Sequence, residues 1–263
     1  MLHFFNRSLL RVILNKILNT FFFSIKVKEV ILLLRPKKGK TINERLSEIF
    51  SGIVFHKLKT NNQSFMKRIK IVEGDFQIAG LGISEESREY IIKNAQIVLH
   101  AAADVKFDRS LKKAVEVNVR GTRDLLSMLE KAEKIEAIVY VSTVYSNCVN
   151  ATIEEKFYPP PTDADKMIEF VENMDENFEK HINKATRDLI HPWPNTYVYT
   201  KALTEDIVRR YSLTLPIAVV RPSIVSLFLM TPSRIINKLE YFLIRSLQPS
   251  KTLLQDGPTI FMD

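Results

Sequence analysis

Apolar positions along this chain of 263 residues form short continuous runs that alternate with longer stretches of mixed polarity. Continuous apolar runs of about four to eight residues are typical of strands that are buried on both faces of a parallel sheet. The runs predict five strands: Val27–Leu34, Ile69–Val72, Gln96–His100, Ala137–Val141 and Pro216–Val220.

Between these runs, apolar residues recur at the spacing of one helix face. This spacing predicts four helices: Thr41–Ile49, Ser84–Asn94, Leu111–Glu130 and Thr196–Tyr211. Thr41 and Glu44 have the spacing of a capping box, and Ser84 is placed to cap the second helix. Strands that alternate with helices in this way predict an α/β fold with a Rossmann-like, doubly wound parallel sheet.

Ligands of doubly wound sheets bind outside the carboxyl ends of the strands. The residues that follow the predicted strands are therefore candidate ligand-binding residues: Arg35, Asp75, Ala101, Ala102, Ala103, Ser142, Thr143, Arg221, Pro222 and Ser223.

Tyr197 and Lys201 are four residues apart on a predicted helix, so their side chains share one face. A nearby ammonium lowers the pKa of a tyrosine, and the phenol then serves as a proton donor near neutral pH. The alternative is that this spacing arose by chance on a solvated helix face. In a chain with 8 tyrosines, the pair taken alone favours that alternative.

The hydroxyls of Ser142 and Thr143 precede this pair and follow a predicted strand. One interpretation is that these hydroxyls form a turn or cap a helix. The other is that they hydrogen-bond the carbonyl oxygen of a substrate, which Tyr197 then protonates while a hydride reaches the carbonyl carbon. Three such groups in this order on one scaffold favour the catalytic interpretation.

Composition excludes several classes of protein. Apolar residues make up 46% and charged residues 26%, which excludes a disordered or fibrous chain. A single cysteine, Cys148, excludes a disulfide scaffold and a multi-cysteine zinc site. Charged residues interrupt the apolar stretches, so neither a membrane-spanning helix nor an export signal is predicted.

A series of ordered motifs resembles the extended short-chain dehydrogenase/reductases and, more narrowly, the insect-type fatty acyl-CoA reductases. The motifs together span roughly residues 11–225. They are Leu32–Lys40, Val72–Asp75, His100–Phe107, Val117–Thr122, Tyr140–Tyr145, Tyr158–Pro161, Trp193–Lys201 and Val220–Ser223.

The resemblance implies that NADPH reduces long-chain fatty acyl-CoA to an aldehyde and then to a primary alcohol. Tyr197 is the implied proton donor, and Lys201 is implied to lower its pKa and to bind the nicotinamide ribose. Thr143, with Ser142 as the second choice, is implied to orient the thioester carbonyl. Asn118 is implied to hold the active-site helix and a water molecule.

The same resemblance implies a set of cofactor-binding residues: Arg35, Asp75, Ala101, Ala102, Ala103, Lys201, Pro222 and Ser223. Arg35 is at a strand end where an arginine accommodates the 2′-phosphate of NADP(H), whereas an acidic residue binds the 2′-hydroxyl of NAD. An ordinary charged loop is the alternative. No metal site is predicted: we expect His100 to be structural and the acidic stretch Asp163–Glu179 to be a solvated helix or a lid.

Residues 1–70 hold 15 Lys and Arg against 3 Asp and Glu, whereas the rest of the chain holds 23 against 27. Such an excess of basic residues favours binding to an anionic membrane surface or to nucleic acid. Part of this charge belongs to the predicted cofactor loop, so nucleic acid is not an expected partner. The resemblance allows peripheral association with the endoplasmic reticulum or peroxisome membrane, and the oligomeric state stays open.

Two regions depart from the family pattern. The segment Met1–Leu10 falls where the family has its first strand and a glycine-rich turn, and it contains no glycine. Residues 226–263 form a tail without a recognisable match, which leaves 1–225 as an incomplete cofactor-binding domain.

An inactive truncated isoform that acts as an interaction module is therefore one alternative function. Another extended reductase, acting on a sterol or a sugar nucleotide, is a second.

Overall fold

A computed structural model of the chain describes residues 28–37, 39–52, 55–61, 65–223 and 259–262. Within them, six parallel strands form one sheet. The strands are β1 (Val30–Leu34), β2 (Ile69–Glu73), β3 (Ile97–His100), β4 (Ala137–Val141), β5 (Ile217–Val220) and β6 (Thr259–Met262). The predicted α/β class and parallel sheet are confirmed, and five of these strands agree with the prediction to within three residues at each end.

The sheet order is β2-β1-β6-β3-β4-β5. On one side of β6 the strands follow outward from β1 to β2, and on the other side they follow outward from β3 to β5. The direction in which successive strands are added therefore reverses at β6. Strand β6 pairs with both neighbours, with Ile260 opposite Ile31 on one side and Val98 on the other. The sequence analysis did not predict this strand. Met1–Leu10, assigned to the family's first strand and turn, lies outside the described residues.

Along the chain, the helices of the described residues alternate with the strands, singly or in groups between two strands, as a doubly wound sheet requires. They are α1 (Ile42–Phe50), α2 (His56–Asn61), α3 (Glu85–Asn94), α4 (Leu111–Ala114), α5 (Gly121–Leu129), α6 (Ala164–Glu172), α7 (Glu176–Leu189) and α8 (Thr196–Tyr211). Thr41 and Glu44 form the predicted capping box of α1, and Ser84 caps α3. The helix predicted over Leu111–Glu130 is interrupted by a π-helical turn, Val115–Arg120.

The alternation of side chains along β1 divides the core into two layers. Ile31 and Leu33 face a layer that includes α3, α5 and α8, whereas Val30, Leu32 and Leu34 face a layer that includes α1 and α2. Both layers are apolar, which explains why β1 reads as an uninterrupted apolar run. No helix among the described residues has both the length and the apolar character needed to cross a bilayer.

Candidate active site

A cavity of about 390 Å³ opens at the carboxyl ends of β1, β2 and β3. Of the predicted cofactor-binding residues, Arg35, Asp75, Ala102 and Ala103 line it together. Arg35 Nε is 4.0 Å from a carboxylate oxygen of Asp75, and the Arg35 side chain is more than half exposed. Ala101 precedes the two lining alanines in the chain and is partly buried.

Glycine is required where the chain leaves β2 beneath this cavity. A Cβ atom on Gly74 would be 2.7 Å from Ile83 Cγ2 and 2.9 Å from the Leu81 carbonyl oxygen. Leu81 is fully buried with a φ of 68°, in the left-handed region that a leucine rarely adopts. The turn after β2 is therefore fixed by close packing, and it holds Asp75 in place through a hydrogen bond from the Asp75 amide to the Leu81 carbonyl at 2.8 Å.

Four cationic residues that line the cavity were not singled out in the sequence: Arg45, Lys106, Arg109 and Lys113. Arg45 is buried on α1 and donates a hydrogen bond to the Arg35 carbonyl. The sequence carried a signal for this buried arginine, because Arg45 is beside Leu46 on the apolar face of a predicted helix. With Arg35, these groups give the cavity an excess of positive charge over Asp75 and Asp104.

The cavity residues fit the adenosine end of a dinucleotide. Small alanine walls allow a flat ring to approach, a carboxylate accepts hydrogen bonds from hydroxyl or amino groups, and Arg35 at the rim is placed for a phosphate. The segment Met1–Leu10, assigned to the pyrophosphate turn in the sequence analysis, lies outside the described residues.

Asn118 joins the cavity to helix α8. Its side-chain carbonyl accepts from the Asp104 amide at 2.7 Å, and its amide donates to the Asp104 carbonyl at 3.1 Å and to Thr200 Oγ1 at 2.9 Å. The Asn118 main-chain carbonyl accepts from Thr122 and Thr204 hydroxyls. Because Asn118 lies in the π-helical turn, its backbone departs from the regular α-helical pattern, a feature frequent at functional sites.

Tyr197 lies in the first turn of α8, which Asn195 caps. The Thr143 hydroxyl, at the end of β4, lies close enough to the Tyr197 phenol to favour its ionised form. The ring of Phe107 stacks against Tyr197 with ring centroids 5.9 Å apart. Phe107 lies between Lys106 and Arg109, which line the cavity, so the loop after β3 connects Tyr197 to the cavity.

The predicted effect of Lys201 on Tyr197 is not what the structure shows. Burial raises the pKa of Tyr197 to about 12, and the nearby Thr143 hydroxyl opposes that rise. The Lys201 ammonium instead donates to the Tyr140 hydroxyl at 3.0 Å and to the Val141 carbonyl at 2.7 Å. A phenol with a raised pKa is protonated at neutral pH, so Tyr197 has the proton that a donor needs.

Lys201 is itself fully enclosed. Burial lowers its pKa to about 7, while the nearby carboxylate of Glu205 acts in the opposite direction. The ammonium is also 4.5 Å from the centre of the Tyr140 ring, a favourable cation–π distance. Lys201 therefore has a readily removable proton close to Tyr140 at the end of β4.

The two strand-end hydroxyls have different surroundings. Ser142 Oγ donates to a buried carboxylate oxygen of Glu205 at 2.6 Å, whereas Thr143 contacts Tyr197. Pro222 lies beside them, because its carbonyl accepts from the Val144 amide at 3.1 Å and from Thr143 Oγ1 at 3.4 Å. Ser223 is exposed. Thr143 is therefore better placed than Ser142 to meet a substrate.

His100 lies near the buried lysine, because its ring centroid is 5.4 Å from that of Tyr140, to which Lys201 donates. His100 is buried, stacks on Phe76 and hydrogen-bonds Thr122 at 2.8 Å. Cys148 is exposed in the loop that follows β4. The acidic stretch contains the whole of α6 and the first turn of α7, and α7 contributes no fully buried residue.

A cavity at the carboxyl ends of the strands of a doubly wound sheet, with a tyrosine and a buried lysine four residues apart on a helix of the same domain, is typical of the nicotinamide-dependent short-chain reductases. Residues 9–250 match the NAD-binding family described as male sterility protein. The chain belongs to this family, and the resemblance drawn from its motifs is confirmed.

Curated relatives support the same placement. The chain is 39% identical to fatty acyl-CoA reductase 1 of Homo sapiens over 215 residues, which cover 82% of this chain and 41% of the relative. It is 36% identical to fatty acyl-CoA reductase wat of Drosophila melanogaster, with 82% and 40% covered. The chain thus spans about two fifths of the length of these relatives.

Solved structures show a similar fold. The terminal R domain of the myxalamid biosynthetic pathway aligns with a TM-score of 0.54 at 22% identity, over 79% of this chain and 45% of that one. The reductase domain of a nonribosomal peptide synthetase from Mycobacterium tuberculosis aligns with a TM-score of 0.53 at 20% identity, over 81% and 45%. At these identities the likeness concerns the fold alone.

Proposed function

We propose that this protein takes part in the NADPH-dependent reduction of a long-chain fatty acyl-CoA to a primary fatty alcohol. The observation that carries the proposal is the proximity of the Thr143 hydroxyl to the protonated phenol of Tyr197, whose ring stacks on Phe107 in the loop that lines the strand-end cavity. The names of the curated relatives supply the substrate class.

The chain's own residues have distinct tasks in this reaction. Thr143 donates to the thioester carbonyl oxygen and orients it, and Tyr197 delivers a proton to that oxygen. The nicotinamide supplies the hydride that reaches the carbonyl carbon. Loss of the CoA thiol then gives the aldehyde, and a second hydride and proton give the alcohol.

Lys201 and Asn118 support this chemistry. With a pKa near 7, Lys201 returns a proton to the phenolate through the hydroxyl groups around it, and it binds the nicotinamide ribose. Asn118 holds α8 against the Asp104 loop, which keeps Tyr197 beside the cavity.

Arg35 supports NADPH rather than NADH. It occupies the rim position at the end of β1, where a guanidinium binds a 2′-phosphate. The buried guanidinium of Arg45 contacts the Arg35 carbonyl and adds charge beneath it. Peripheral contact with the membrane of the endoplasmic reticulum or peroxisome is the location that the family resemblance adds to the proposal.

The experiment that tests the proposal measures NADPH consumption with a long-chain acyl-CoA and quantifies free CoA and lipid products. Alcohol formation requires two NADPH oxidised for each CoA released, whereas a reaction that stops at the aldehyde requires one. NADPH oxidation that depends on a sterol or sugar nucleotide, and not on acyl-CoA, would contradict the proposal. So would the absence of NADPH binding up to millimolar concentration.

A further inference from the structure

Glu205 has a buried carboxylate that binds three separate parts of the chain. Its two oxygens accept from Ser142 Oγ at 2.6 Å, Ser146 Oγ at 2.8 Å and Asn147 Nδ2 at 3.1 Å. Arg221 adds two further bonds, from Nε at 2.9 Å and Nη2 at 2.8 Å. Only 3% of the Glu205 surface is exposed, so these five donors compensate for the loss of water.

The position of Glu205 on α8 relates it to the reactive groups. Tyr197, Lys201 and Glu205 follow one another at intervals of four residues, which places them along one helix face. Glu205 accepts a hydrogen bond from Ser142, and Tyr197 lies close to the neighbouring hydroxyl of the same strand end, Thr143. The distance between Thr143 and Tyr197 consequently depends on how firmly Glu205 holds that strand end against α8.

A second set of contacts continues from Arg221. Its Nη1 donates to the Glu154 carbonyl at 3.1 Å, and its Nη2 donates to the Lys156 carbonyl at 2.8 Å. The guanidinium is also 5.8 Å from the Tyr158 ring. The Glu205 carboxylate therefore fixes the loop of residues 154–158 indirectly, through the Arg221 side chain. This loop leads away from the site.

We propose that Glu205 is a positioning residue that holds Thr143 against Tyr197 by tying the end of β4 to α8, and that it anchors the loop of residues 154–158 through Arg221. Glu205 is buried and is not among the residues that line the cavity. The kinetic part of this inference rests on the proposed reductase function, whereas the structural part does not.

Glu205→Gln tests the inference because it keeps the shape of the side chain and removes its charge. The amide donors of glutamine face the Arg221 guanidinium, which is also a donor, so the link to the strand end is weakened. The matched control is Asp206→Asn, which removes a neighbouring buried carboxylate that pairs with Arg209 and Arg210 instead.

Hydrogen exchange followed by mass spectrometry is the first readout. The main-chain amides of Ser142, Val144 and Ser146 are hydrogen-bonded at this strand end and report on its opening. We expect Glu205→Gln to speed their exchange about tenfold or more, while Asp206→Asn leaves it near the wild-type rate. Equal acceleration in both variants, or across the whole chain, would overturn the inference.

Steady-state kinetics with a long-chain acyl-CoA is the second readout. A displaced Thr143 should lower kcat about 10- to 100-fold while KM changes little, because misplacement of about 1 Å has effects of this size. An unchanged kcat in Glu205→Gln would contradict the inference. If the wild-type protein reduces no acyl-CoA, the proposed function fails, and the exchange rates alone decide whether Glu205 holds the strand end.

Ser146→Ala serves if Glu205→Gln does not fold. It retains the ion pair with Arg221 and removes one donor to the carboxylate together with a contact to the Thr143 carbonyl at 2.8 Å. We expect the same pattern of local exchange with a smaller amplitude. Wild-type exchange at Val144 in Ser146→Ala would count against the inference.

Discussion

The hydroxyl of Thr143, at the end of β4, lies close to the phenol of Tyr197, in the first turn of α8. This proximity brings a carbonyl-binding group and a proton donor together, and Phe107, which stacks on Tyr197, connects them to the loop that lines the cavity. Asn118 ties α8 to the loop that follows β3, because it bonds both Asp104 and Thr200. The geometry suits the protonation of a carbonyl oxygen during reduction.

Arg35 should decide the preference for the phosphorylated dinucleotide. Arg35→Ser is expected to weaken NADPH binding about tenfold, since a charge-assisted hydrogen bond contributes roughly 1.5–3 kcal/mol. NADH binding should change little. Titration calorimetry with each dinucleotide measures both constants.

Lys40→Ser is the control for that comparison, because Lys40 is an exposed cation in the same loop that pairs with Glu48 at 3.0 Å. It should leave both affinities near those of the wild type. Equal weakening of NADPH and NADH by Arg35→Ser would show that Arg35 does not recognise the 2′-phosphate.

Strand β6 should contribute directly to the stability of the sheet. Ile260 lies opposite residues of two neighbouring strands, so a proline there removes a main-chain donor from the centre of the sheet. Ile260→Pro is expected to lower the free energy of unfolding by at least about 1–3 kcal/mol. Urea denaturation measures this change, and Ile260→Val, which keeps the donor, is the control. Equal unfolding midpoints for the two variants would contradict the placement of β6.

His100 should make the protein sensitive to acid. Burial lowers its pKa from 6.5 to about 3, so the unfolded chain binds a proton in this range that the folded chain excludes. Stability should therefore fall as the pH decreases from about 6.5 towards 3, by up to about 1.4 kcal/mol per pH unit from this group.

Thermal unfolding as a function of pH tests this prediction with two variants. His100→Phe should flatten the decline, since Phe76 stacks at this position and accommodates another aromatic ring. His181→Gln, which changes an exposed histidine on α7, should retain it. An unchanged slope in His100→Phe would assign the acid sensitivity to other groups.

The sequence predicted the features that depend on local patterns. The apolar run that contains β1, the capping box of α1 and the four-residue spacing of Tyr197 and Lys201 are all read from neighbouring residues. It did not predict β6, because four residues near the end of the chain enter the sheet through contacts with strands far away in sequence.

Tertiary packing also decided which polar groups pair. The Lys201 ammonium contacts Tyr140, a residue of β4 that spacing along α8 does not reveal. Glu205 follows Lys201 by one turn and reads as an ordinary helical acid, yet packing surrounds it with five donors. Such buried networks depend on the whole fold, so a single sequence gives little warning of them.

The most direct test of the account compares Tyr197→Phe with Tyr199→Phe. Tyr199 is a buried neighbour on the same helix that packs on Trp193, so its change controls for the loss of a phenol from α8. Tyr197→Phe should lower kcat for acyl-CoA reduction about 100- to 10,000-fold and leave NADPH affinity unchanged. Tyr199→Phe should retain activity within a few-fold of the wild type. Activity in Tyr197→Phe equal to that of the control would contradict the assignment of Tyr197 as the proton donor.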